Sequence, residues 1–460
     1  MRMARALSDF ANNRSGNFTL LAAVTMSVVL LTIGFGINVA QSLNVKSSLQ
    51  SALDSAVTST ARDLTTGTIE EKDARRMVEA FLSANSTSRF STKDRFVLDN
   101  LVIDKTARTL TATAHANVVL AFPMFNIGDP RVGGESAAIY SDKKIEVAMM
   151  LDLTGSMKKA GTDDKLGDLQ EAAKRAVEAL LDGKNLNDRV RVALVPYANS
   201  VNVGAAIAEK AVYIEKNGAD RGRVVSNADP KNVTSSGSGR PDNCATERKG
   251  TTYVYTDDGP DVAMVNRDFL LTEFAGGYTD GKITYAKSEK CPKAVMVPLT
   301  ANLKTLTDSI GTFVADGGTG GHIGVQWTWY MLSDKWKNVL ATSAAPGPYD
   351  KVAKYAILMT DGEFNLGFSG ASTVQEVYGT GAANRSIPHA TKLCAEMRKA
   401  GIEIFTIGFK LPDSARKLMR DCATPDNGGI KHFYDTSSGS QLDQAFQQIV
   451  NNIEGLALTK

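Results

Sequence analysis

An α/β fold, an open and mainly parallel sheet flanked by helices, follows from three features of the 460-residue chain. Short apolar runs, Ile145–Leu151, Arg189–Val195, Tyr355–Thr360 and Ile402–Phe409, have strand length and alternate with stretches of helical period. Two of them end in acidic turns, at Asp152 and Asp361, where open α/β sheets carry ligand sites. Ahead of them no charged residue occurs from Ser15 to Val45. A run of that length crosses a bilayer as a helix.

The bulk properties bound the function. A chain this long holds two or three domains. Its net charge is +2, with acids and bases interspersed, so no nucleic-acid partner is indicated. Four cysteines, Cys244, Cys291, Cys394 and Cys422, show no zinc spacing. They suit two disulfides in an oxidising compartment or four unrelated buried thiols, and composition alone leaves both open.

Taken in order, the chain starts with Arg2, Arg5 and Arg14 against the single acid Asp9, which holds the N-terminus in the cytoplasm and sends the remainder out. A cleaved signal peptide is disfavoured by the long apolar run and by Asn38-Val39-Ala40, a poor cleavage site. A prepilin-type cut after Gly16 is disfavoured because Leu21 stands where an acid is usual. An uncleaved anchor over 1–41 is therefore expected. Residues 42–141 read as a stalk. The helix continues through Asn44–Asp63 with Leu49, Ala52, Leu53, Ala56 and Val57 on one face. A second helix spans Ile69–Ala84, and strand-like runs follow at Phe96–Asp104, Thr109–Val118 and around Glu135–Tyr140.

Arg14-Ser15-Gly16-Asn17, the apolar span, and Ser48-Leu49-Gln50-Ser51-Ala52-Leu53-Asp54-Ser55-Ala56 resemble the N-terminus of TadE/TadG-like proteins. That resemblance covers about the first seventy residues. It implies a part in assembly of the bacterial tight-adherence (Flp) pilus and a place in the inner membrane.

Residues 142–460 carry the α/β pattern. After Asp152 a helix begins among Thr162, Asp163 and Asp164 and runs to about Leu181, stopped by Asp182-Gly183. The strand Arg189–Val195 ends at Pro196, and strand, helix, strand in succession imply a right-handed parallel crossover. From about 203 to 298 the periodicity fades, and Asn227–Gly250 reads as an exposed loop in an insertion that a Cys244–Cys291 disulfide would close. Helices are expected at Leu299–Val314, Ile323–Leu332, His389–Lys399 and Gln441–Gly455. The glycine-rich loop Asp316–His322 lies between the first two and places Thr319 on a tight turn.

Four strands directed at one sheet edge thus present Asp152, Thr154, Ser156, Thr319 and Asp361. A carboxylate and hydroxyls at a strand end suit a hard divalent cation, although Asp, Thr and Ser there also cap helices. The set Asp152-Leu153-Thr154-Gly155-Ser156, Thr319 and Thr360-Asp361-Gly362 resembles the metal-ion-dependent adhesion site (MIDAS) of von Willebrand factor type A domains, with Thr154 standing where serine is commoner. The resemblance implies a Rossmann-like fold. It also implies a divalent cation, Mg²⁺ first, with Ca²⁺ or Mn²⁺ as alternatives. Ser156, Thr154 and Thr319 would then ligate it, and Asp152 and Asp361 would bind it directly or through water and orient the hydroxyls. An open coordination position would take a carboxylate from a protein partner.

Two competitors are weaker. Ser156, His322 and Asp361 resemble a hydrolytic triad in type, but no nucleophile elbow is present. Gly317–Gly321 lacks the Lys-Ser/Thr of a P-loop. With the unit outside the cytoplasm, a Cys394–Cys422 bridge would pin the surroundings of the strand Ile402–Phe409. The expected protein is a non-enzymatic, single-pass inner-membrane protein, mostly periplasmic, that binds pilus or envelope components through its metal site. The alternatives are an envelope-tethering structural protein with a non-functional metal site, and a surface adhesin.

Overall fold

The computed structural model describes residues 15–86, 95–105, 107–122, 131–141, 144–181, 188–214, 242–268, 270–271 and 291–459. The arginines of the N-terminus, the Asp182-Gly183 stop and residues 227–241 of the expected loop lie outside the described residues. Two compact units are present, residues 1–64 with 69–141, and 65–68 with 142–460.

The first unit is built on α1 (Ser15–Thr66), a continuous helix of 52 residues. Its first half is a helix long and apolar enough to cross a membrane, with side chains such as Leu21, Met26, Leu30 and Phe35 exposed. Below Asn38 the pattern changes to one apolar stripe. Val45, Leu49, Leu53, Ala56 and Val57 are buried against α2 (Glu71–Ala84) and a three-stranded antiparallel sheet. The strands are β1 (Phe96–Asp104), β2 (Thr109–Asn117) and β3 (Arg131–Ile139), in that order. In β2 the alternation of Leu110, Ala112, Ala114 and Ala116 puts every second residue on the helix. At the sheet end nearest the apolar run, Asn38 donates to the Phe122 carbonyl at 2.8 Å and accepts from its N–H at 3.1 Å. Gln41 does the same one turn on, donating to Val119 and accepting from Ala121.

The second unit has a sheet in the order β13-β12-β11-β4-β5-β6-β8, with β10 also on β5. In chain order its elements begin with β4 (Lys144–Asp152), α3 (Lys165–Leu181), β5 (Val190–Tyr197), β6 (Val201–Asn202) and α4 (Ala205–Ala211). Then come β7 (Val212–Ile214), β8 (Cys244–Ala245), β9 (Val265–Arg267), β10 (Val297–Thr300), α5 (Leu303–Gly311) and α6 (Gly321–Tyr330). The chain ends with β11 (Val352–Thr360), α7 (Thr380–Lys399), β12 (Glu403–Phe409), α8 (Asp413–Cys422), β13 (Phe433–Thr436) and α9 (Gly439–Thr459). β4, β5, β11, β12 and β13 run parallel. On β4, Val147, Met149 and Leu151 face a core shared with α3, α5 and α9, whereas Ala148 and Met150 face one shared with α6, α7 and α8. This two-sided burial is why the strands read as unbroken apolar runs.

Several boundaries differ from the sequence reading. Leu299 lies in β10, antiparallel to β5, because Asn302 caps the helix later by accepting from the Thr305 N–H. The helix before β12 begins at Thr380, and Pro388 lies inside it instead of marking its start. β5 runs through Pro196, which pairs with Leu151. The amphipathic helix α8 and the edge strand β13 were not read from the sequence at all. Residues 244–249 of the supposed exposed loop are buried. Arg248 explains this: its guanidinium donates to the carbonyls of Asp258 and Ala263 at 2.9 and 2.7 Å and lies 5.0 Å from the Tyr330 ring centre. A fold made by one cation collecting main-chain oxygens has no hydrophobic period to detect. Disulfides join Cys244 to Cys291 and Cys394 to Cys422.

Candidate metal centre

The site forms where β4 ends. Asp152 is wholly buried, and both of its carboxylate oxygens accept hydrogen bonds from neighbours. Oδ1 accepts from the Thr154 N–H at 2.8 Å. Oδ2 accepts from the Tyr197 hydroxyl at 2.8 Å and from the Thr360 hydroxyl at 2.7 Å. These come from the ends of the two strands flanking β4, so Asp152 ties β5 and β11 to the turn. Burial, reinforced by the nearby charge of Asp361, pushes its pKa up to about 6.

With its N–H fixed by Asp152, Thr154 projects its hydroxyl 2.9 Å from that of Ser156, which sits in a single 3₁₀ turn. The turn is held by Gly155, whose N–H donates to the Gly317 carbonyl at 2.8 Å. A Cβ on Gly155 would stand 3.1 Å from that oxygen, a tight contact that glycine avoids. Ser156 donates to Asp361 Oδ1 at 2.5 Å.

Thr319 comes from the glycine-rich loop between α5 and α6, as the sequence reading placed it, and not from one of the strands. Three side chains fix this loop. Asn199 accepts from the Gly318 N–H at 2.7 Å and donates to the Tyr378 hydroxyl at 2.6 Å, and Asn365 accepts from the Thr319 N–H at 3.1 Å. A Cβ built on Gly362 would lie 3.7 Å from Ser156 Oγ and 4.0 Å from Thr319 Oγ1. The two hydroxyls therefore border one space that the bare glycine leaves open.

The five predicted residues thus converge, four as a donor set and Asp152 as the group that positions them. The donors fit a hard cation on two counts. All are oxygens, and the Thr154–Ser156 separation of 2.9 Å equals the edge of an octahedron with Mg²⁺ ligands at about 2.0–2.1 Å. His322 stands apart from them. Its Nδ1 bonds Ser386 Oγ at 2.6 Å and its Nε2 faces Glu247 at 3.6 Å, so both ring nitrogens are engaged away from Ser156.

Sequence reasoning missed the supporting residues. Tyr197 lay beyond the expected strand end at Pro196, Thr360 was read as a strand end and a motif residue without a role of its own, and Asn199 and Asn365 were not singled out. Lys165 at the start of α3 was also missed. Its Nζ lies 2.8 Å from Asp361 Oδ2, with its side chain 18% exposed and that of Asp361 fully buried.

Compared with known families, residues 16–63 match the model described as "Putative Flp pilus-assembly TadE/G-like". The N-terminal segment is thus similar to that family over these residues. The match takes in the apolar run, the amides of Asn38 and Gln41, and the stripe from Val45 to Val57, and it supports a pilus-related role. The TadE/G-like segment stops before α2. No curated protein matches the chain.

Solved structures similar to the chain include the pilus adhesin SpaC from Lactobacillus rhamnosus GG, at 12% identity over 80% of this chain and 35% of that one, with a TM-score of 0.36. This chain therefore spans about a third of the length of SpaC. Others are the vWF domain of the type V pili tip protein Mfa5 from Porphyromonas gingivalis (14% identity, 68% and 95% of the two chains, TM-score 0.36) and a von Willebrand factor type A structure from Catenulispora acidiphila (13%, 80% and 52%, TM-score 0.31).

Proposed function

We propose that this chain is a single-pass inner-membrane protein of Flp pilus assembly whose α/β unit binds a protein partner through a divalent cation, without catalysing a reaction. The N-terminus lies in the cytoplasm and the bulk in the periplasm. The two disulfides agree with an oxidising compartment. One observation carries the metal reading: the hydroxyls of Thr154 and Ser156 are 2.9 Å apart beside Asp361, in a turn fixed by the hydrogen bonds of the buried Asp152 carboxylate. Thr154, Ser156 and Thr319 ligate the cation, Mg²⁺ in the first instance, and Asp361 binds it or a water on it. Hydroxyl ligands leave most of its charge unneutralised. A carboxylate of the partner, a pilus or envelope component, completes the coordination.

The test is thermal unfolding of the detergent-solubilised full chain with chelator and then with millimolar Mg²⁺ or Mn²⁺, beside Ser156→Ala and Thr319→Val. At about a hundred times its dissociation constant the ion adds roughly 2.7 kcal/mol of stability. Both variants should lose that increment, and Asp361→Ala in cells should abolish pilus assembly with the chain still in the membrane. A wild-type melting curve indifferent to every ion would overturn the metal reading.

A further inference from the structure

The Lys165–Asp361 pair deepens the reading just given and rests on it. Asp361 carries two different demands on its two oxygens. Oδ1 accepts a hydrogen bond from the Ser156 hydroxyl, and a hydroxyl that coordinates a cation through a lone pair keeps its proton, so this bond persists with or without the ion. Oδ2 is held by the Lys165 ammonium at 2.8 Å, so an ion or its water that reaches Asp361 meets a carboxylate whose charge that ammonium already balances.

A buried carboxylate beside a second one needs a counter-charge. Asp152 is that neighbour: its Oδ2 accepts from the Asp361 N–H at 3.4 Å. Other lysines around the site are engaged elsewhere: Lys158 with Asp316, Lys159 with Asp164 and Lys410 with Asp163. Lys165 is the cation directed inward. It is also able to leave. A lysine is a point charge on a flexible stem, its side chain is 18% exposed, and it is the first residue of α3, so its ammonium reaches water without disturbing the helix.

We propose that Lys165 is a built-in competitor for the metal. Its ammonium neutralises Asp361 when no ion is held, and an arriving cation must displace it into solvent. Lys165 is a positioning residue: it preserves the apo geometry and sets the affinity below what the oxygen donors alone would give.

The experiment is a Mn²⁺ titration of the detergent-solubilised full chain, free ion read by electron paramagnetic resonance, for wild type, Lys165→Met and Lys165→Gln. Met keeps the length of the side chain without its charge, and Gln provides a second neutral variant should Met fold poorly. Removal of the competitor should tighten Mn²⁺ binding roughly tenfold or more, a change of about 1.4 kcal/mol or above. In the wild type, reductive methylation of Lys165, followed by mass spectrometry, should be faster with saturating Mn²⁺ than with chelator. Equal or weaker Mn²⁺ binding by both variants, or a methylation rate indifferent to the ion, overturns the competition and leaves the metal site standing. No Mn²⁺ binding by any of the three proteins overturns both.

Discussion

The carboxylate of Asp152 behaves as a structural knot, which changes how variants there should be read. With Thr154, Tyr197 and Thr360 all donating to it, its removal leaves buried donors unpaired, each at a cost of about 1–3 kcal/mol. Thr319→Val, which removes one proposed ligand, therefore reports on the ion more cleanly than a variant of Asp152, and more cleanly than Ser156→Ala, which also breaks bonds to Thr154 and Asp361.

A second cluster, away from the metal centre, sets the response to acid. His389 on α7 is buried beside His322, Tyr255, Glu247 and Lys392. Burial, then the neighbouring His322, hold its pKa down at about 3 against an ordinary 6.5. Between those values the unfolded chain takes a proton that the folded one refuses. Stability is thus complete above about pH 6.5 and falls by about 1.4 kcal/mol per pH unit below it. Glu247 adds to the loss at lower pH. Despite burial, which would raise it, its contacts with His322, Lys249 and the Ser369 N–H hold its pKa at about 2, against 4.5. Urea unfolding between pH 7 and 4 should show this slope, and His389→Leu should flatten it.

At the scale of elements, α6 is the packing piece on which the site leans. Its Gly324 faces the sheet so closely that an added Cβ would stand 2.9 Å from the Tyr197 ring and 3.0 Å from Met150. Gly324→Ala should cost about 1–3 kcal/mol through overpacking. Because the same ring carries the hydroxyl that holds Asp152, the variant should also weaken the ion-dependent rise in melting temperature. A destabilised variant with a full ion response would show that Tyr197 is not a link between helix and site. The strands that bear Asp152 and Asp361 were legible because burial on both faces makes them continuous apolar runs. Thr319 was legible as a loop residue because the glycines around it mark a tight turn between two helices. Lys165 was illegible: a lysine opening a helix is ordinary, and its meaning lies in the crossover that brings it to Asp361.

For the molecule as a whole, the insertion shows where sequence reasoning stops. Arg248, Lys249 and Arg267 are buried there, paired with backbone carbonyls, Asp268 and Asp242. Such charges are indistinguishable in sequence from solvated ones, because what buries them is long-range pairing and not composition. The disulfides are the other global constraint, spanning sequence separations of 47 and 28. Each removes about 4 kcal/mol of unfolded-chain entropy by the loop-closure relation. Unfolding the full chain with and without reductant should show a marked loss of melting temperature, with Cys394→Ser alone giving part of it. An unchanged curve would mean that the bridges do not restrain the unfolded state.

The amide pairs of Asn38 and Gln41 with residues 119–122 have a mechanical consequence for the anchor. They grip α1 directly below its apolar run, so the chain just after β2 acts as a collar on one side of the helix at the base of that run. A helix slipping by one residue would advance about 1.5 Å and turn by about 100°, and both amides would swing off the backbone they hold. Piston motion and rotation are thereby blocked at the collar. In a bilayer thicker or thinner than the span, the adjustment falls to the lipid or to tilting of the collared unit as one body.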